Sequence, residues 1–145
     1  MEEYILEQVP DFKLHKKRTI TICTFLTGPL VAGYLIAENF NQLNERHNAI
    51  KTWVYTILGT IILFCSIAFI PAVEKIPGIL FAVLYTSIAS YFIQRYQEVK
   101  IKLHQEKGGQ FFSVWRAVLA SLISLVLTIA LLLVILLIAT PEVFQ

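Results

Sequence analysis

The sequence predicts an all-α integral membrane protein: four hydrophobic helical segments packed as a small bundle, the first broken at Gly28-Pro29 into a re-entrant or kinked span. Three observations predict it. Of 145 residues, 57% are hydrophobic and 15% charged, against roughly 45–50% and about 25% in an ordinary soluble domain. The apolar residues gather into four runs, 19–37, 53–70, 76–93 and 117–140, each near the length that a ~30 Å hydrocarbon layer asks of a helix. The polar pieces between them are too short to build a core, so residues 1–145 read as a single membrane domain.

Residues 1–18 form an arm in which Tyr4, Ile5, Leu6 and Val9 stand at roughly helical spacing before Pro10. Lys13, Lys16, Lys17 and Arg18 follow as a basic cluster. Beside a membrane segment such a cluster attracts anionic lipid at about 1 kcal/mol per charge, and it also serves as an ordinary topology anchor. The apolar run after the arm lacks a small-residue cleavage site, so the first segment is expected to stay in the mature protein.

The first segment, TITICTFLTGPLVAGYLIA, is rich in threonine and carries Gly28-Pro29 at its middle. Pro29 lacks a backbone donor and disfavours helix at Gly28. The two halves are each about 13 Å long if helical, which matches one leaflet. Residues 38–52 follow, with Phe40, Leu43, His47 and Ile50 at three- and four-residue steps among polar residues, the pattern of an interfacial helix. The second segment, 53–70, opens on Trp53 and Tyr55 and closes at Pro71. PAVEK is a tight hairpin to the third, 76–93, which ends among Tyr91, Arg95 and Tyr96, an interfacial belt. The polar connection 94–116 is broken by Gly108-Gly109 and re-enters at Phe111, Phe112 and Trp115. The fourth segment, 117–140, is long enough to tilt.

Charge placement weighs on the first segment. If all four segments cross, five basic residues fall on one side and seven on the other. If the first dips in at Gly28-Pro29 and returns, every basic residue except Lys75 shares one side, as the positive-inside rule prefers. A kinked crossing is the commoner structure, and near-even counts would also permit insertion in both orientations.

Small residues mark the packing faces. Gly78, Ala82, Thr86 and Ser90 recur at four-residue steps, and shorter sets are Thr52, Thr56 and Thr60, then Ala120, Ser124 and Thr128, then Gly28 and Ala32. Small residues let helix backbones approach closely, within one chain or between copies. Glu38 and Arg116 sit at segment ends and form a possible polar pair; under the re-entrant reading they share a side.

Chemistry finds little to work with. No ionisable residue lies deep in a segment, as a charged transport site would require. His15, His47 and His104 fall in three separate polar pieces and Cys23 and Cys65 in apolar runs, so no metal site and no cofactor is expected. No nucleophile has a neighbouring base, and a net charge of +2 is too balanced for a nucleic-acid partner. Four short segments are similar in number to those of the small multidrug transporters, which embed a Glu in the first helix; the first segment here has none. The expected partners are membrane lipids and either further copies or another membrane protein. The expected role is a non-catalytic oligomeric or partner-binding subunit or scaffold of a bacterial cytoplasmic (inner) membrane, crossing it several times. The alternative is a homo-oligomeric pore or small transporter lined by Thr and Ser faces.

Overall fold

The computed structural model describes residues 9–144, and the spacing of Tyr4, Ile5 and Leu6 lies outside them. The described chain is helical: α1 (Lys17–Thr27), α2 (Pro29–Gln42), α3 (Arg46–Phe69), α4 (Pro71–Glu74), α5 (Gly78–Tyr96), α6 (Glu98–Glu106), α7 (Val114–Ala139) and a closing 3₁₀ turn, Pro141–Phe144. Its one β-type contact among the described residues is an isolated bridge between Leu14 and Phe111.

Gly28 separates α1 from α2 with φ +103° and ψ −178°, a conformation open to glycine and strained for other residues. Pro29 then takes the first helical position, where its missing N–H is no loss. The chain reverses there. In a single kinked helix residues 15 and 39 would stand about 36 Å apart; instead the His15 N–H donates to Asn39 Oδ1 at 2.7 Å. The first segment is therefore a helical hairpin whose two ends meet.

That hairpin is the centre of the molecule. Ile20, Val31, Leu35 and Phe40 are buried, together with Leu14 of the arm and Ile93 of α5. α1 packs on α5 and α7, and α2 on α3, α5 and α7. α2 and α3 approach closely at Gly33, where an added Cβ would lie 2.6 Å from Cγ2 and Oγ1 of Thr56. The hairpin tip reaches the middle of α7, since a Cβ at Gly28 would meet Thr128 at 3.8 Å.

Where the sequence suggests four spans, two helices are long and apolar enough to cross a membrane, Arg46–Phe69 and Val114–Ala139. The first segment is divided into helices of 11 and 14 residues, and α5, with 19 residues, takes in Gln94 and Arg95. α3 and α7 are not core helices, because only 11% of the apolar window of each is buried in the fold.

The single interfacial helix expected over 38–52 is corrected. Residues 38–42 are the last turn of α2, 43–45 are a turn, and 46–52 already belong to α3. The physical reason is a Schellman cap: the Glu45 N–H reaches the Phe40 carbonyl at 2.8 Å and the Asn44 N–H the Asn41 carbonyl at 3.1 Å. Asn44 takes φ +62°, a conformation asparagine tolerates. The expected apolar stripe is divided with it, Phe40 being buried, Leu43 half-buried and Ile50 exposed.

Candidate functional site

The open ends of the hairpin, the arm, the start of α6 and the start of α7 converge on one polar node. Asn39, Gln97 and His15 are fully buried there. Asn39 Oδ1 accepts the His15 N–H, and its Nδ2 donates to the His15 carbonyl at 3.1 Å and to Gln97 Oε1 at 3.3 Å. Gln97 Nε2 in turn donates to the Ile36 carbonyl at 2.9 Å. Both protons of the Asn39 amide are thereby used. The amide clasps the arm as a neighbouring strand would, and Gln97 ties the clasp to the end of α5.

Beside the clasp, Glu38 uses both carboxylate oxygens. Oε2 lies 2.6 Å from His15 Nε2, and Oε1 accepts from Nη2 of Arg116, the third residue of α7. The Phe112 ring backs both partners, 4.6 Å from the His15 ring and 4.6 Å beneath the Arg116 guanidinium. Burial lowers the His15 pKa below its ordinary value, the hydrogen bond to Glu38 opposing this only in part. Burial would raise the Glu38 pKa, but the hydrogen bonds from Arg116 and His15 outweigh it and hold the carboxyl below its ordinary value. The stable arrangement is a neutral His15 that donates its Nε2 proton to an ionised Glu38.

Glu38 and Arg116, singled out from sequence as segment-end charges, are thus in contact. His15, Asn39 and Gln97 were not foreseen as part of that pair. Lys13, Lys16 and Arg18 are exposed; Lys16 stands 5.1 Å from the Phe111 ring and Lys17 3.6 Å from Glu98. The arm is docked by its backbone, with Phe112 N–H donating to the Leu14 carbonyl at 2.9 Å. Of the α5 row, Ser90 Oγ lies 3.4 Å from Thr21 Oγ1, and Thr86 Oγ1 is buried without a partner. Ala82 is half-exposed, and a Cβ at Gly78 would meet nothing within 4 Å. Ala32 is buried within the hairpin.

A second feature is a cleft of about 370 Å³ between α3 and α5, floored by Pro29, Ala32 and Ile36 of the hairpin. Thr52 and Thr60 reach it, but their hydroxyls donate to the carbonyls of Asn48 and Thr56 at 2.8 and 2.7 Å. Thr21, Thr24, Thr27 and Thr128 do likewise within their own helices. A hydroxyl has one proton, and here it is committed to the backbone.

Fold and site together define an all-helical protein with two helices of membrane-spanning length and with the buried side chains of His15, Asn39 and Gln97 gathered at one end. No family model matches the chain, and no curated protein and no solved structure matches it either.

Proposed function

We propose that the chain is a multi-pass membrane protein in which α3, α5 and α7 cross a bacterial cytoplasmic membrane. The α1–α2 hairpin enters from the side of the arm and returns to it. Outward apolar faces on α3 and α7 support this, as does the gathering of every basic residue but Lys75 at the hairpin's open end or in the arm and connections beside it. Irregular backbone at Gly28 is tolerable at depth because α5 and α7 cover the hairpin.

Within that membrane the protein works as a non-catalytic subunit, packing against a second copy or another membrane protein. The observation that carries this is the divided row on α5: Ser90 is spent on the hairpin, while Gly78 faces open space and Ala82 is half-exposed. A small-residue face gains little against lipid and more against a close backbone. At the polar node His15 and Arg116 are both engaged by Glu38. A pore lined by threonine is less favoured, since the hydroxyl protons of Thr21, Thr24, Thr27, Thr52, Thr60 and Thr128 are turned into their own helices. Native mass determination in detergent tests the reading. Ala82→Leu is expected to reduce the assembled fraction, and an unchanged distribution would overturn it.

A further inference from the structure

The cleft between α3 and α5 has properties that select an occupant. Along α3 it runs from Thr52 to Ser66, about 21 Å at 1.5 Å per residue, which exceeds the roughly 15 Å of one leaflet. Its volume of about 370 Å³ lies near the low end of the 300–1,000 Å³ typical of small-ligand sites. A length of this order with so small a volume describes a narrow slot, which suits a thin aliphatic chain lying along it. The cleft's walls, with Leu63, Leu84 and Ile88, are almost wholly apolar.

The polar end is different. Tyr55 and Phe92 meet edge to face there, ring centroids 6.5 Å apart. Lys51 precedes Tyr55 by four residues and Arg95 follows Phe92 by three, so each stands one helical turn beyond the aromatic pair, on the side of the polar node. Both are exposed, and neither is in an ion pair among the described residues. The nearby carboxylates are already taken, Glu45 by Lys100 and Glu98 by Lys17 and Lys102. The groove along α7 that touches Tyr34 and Trp53 offers no such charge, because its Arg116 is bound to Glu38.

The geometry points to a binding site for an anionic phospholipid, with one acyl chain lying in the α3–α5 cleft and the phosphate held between Lys51 and Arg95. The site rests on the membrane reading above. It also gives the basic residues of the helix ends a ligand role separate from that of the arm cluster.

The test uses full-length protein, delipidated in detergent and offered phosphatidylglycerol or phosphatidylcholine, with retained lipid read by native mass spectrometry. Phosphatidylglycerol is expected to be retained in preference. Lys51→Gln with Arg95→Gln is expected to lower that preference by about 5-fold per charge and roughly 30-fold together. Gly59→Leu projects into the cleft, where an added Cβ meets nothing within 4 Å, so it fills the chain site without a clash in the fold. It is expected to abolish retention of both lipids at unchanged melting temperature. Equal retention of the two lipids by the wild type, a preference that survives the double substitution, or lipid retained by Gly59→Leu would each overturn the site. Release of the protein from membranes by alkaline carbonate would overturn the membrane reading and the site together, whereas retention without lipid preference overturns the site alone.

Discussion

His15 Nε2 and Glu38 Oε2 are 2.6 Å apart across 23 residues of sequence, and this contact states the topology of the first segment. Two helices of 11 and 14 residues joined at Gly28 bring their outer ends together only if they run antiparallel. The same contact places a titratable pair where the arm, the hairpin and, through Arg116, the last helix are joined.

The hairpin makes a labelling prediction. With Cys23 and Cys65 replaced, single cysteines at Lys13, Asn41 and Gln105 are expected to react from one side of the membrane, and cysteines at Glu74 and Glu142 from the other. Reaction of Lys13→Cys and Asn41→Cys from opposite sides would show a full crossing by the first segment.

Acid should loosen the node. Both His15 and Glu38 have folded pKa values below their ordinary 6.5 and 4.5, so the fold favours their deprotonated forms. That stabilisation is complete above the ordinary values and is lost as pH falls, for His15 below about 6.5 and for Glu38 below about 4.5. The melting temperature of the detergent-solubilised protein is expected to be flat from about pH 8 to 7 and to decline from about pH 6.5 downward. His15→Asn keeps the backbone clasp and should flatten the upper part of that decline. The same slope in variant and wild type would remove His15 as its source.

The clasp itself is tested by Asn39→Leu. The substitution leaves the His15 N–H and carbonyl without partners, at about 1–3 kcal/mol for each group that stays buried. The expected readout is faster amide exchange over residues 13–16, with exchange within α7 little changed. Unaltered exchange in the arm would mean that its contacts with Phe111 and Phe112 suffice.

Gly33→Ala should weaken the α2–α3 contact, because the new Cβ would stand 2.8 Å from Thr56 Cβ, an atom fixed to the backbone that cannot swing aside. Overpacking of this kind costs about 1–3 kcal/mol, read as a lowered melting temperature. Removing the opposing side chain with Thr56→Gly in the same protein should recover part of the loss, beyond what Thr56→Gly does alone.

Local chemistry made much of this protein legible from its sequence. The break at Gly28-Pro29 follows from a residue that cannot donate and a neighbour free to take positive φ. The long apolar helices follow from runs of aliphatic residues, and the arrest after α6 from Gly108-Gly109, where the Gly108 N–H bonds to the Gln105 carbonyl at 3.0 Å. Periodicity over 38–52 misled, because an asparagine cap at Asn44 is a local hydrogen-bond pattern that an apolar spacing of three and four residues does not register. Only the tertiary structure decided between a hairpin and a kinked crossing, since both need the same break and differ in where residue 39 ends up relative to residue 15. It also decided which polar residues matter: His15, Asn39 and Gln97 look like ordinary boundary residues until the chain folds, and their partners lie 23 to 61 positions away. A buried amide is stable only with its hydrogen bonds made, and those bonds exist between segments rather than within any of them.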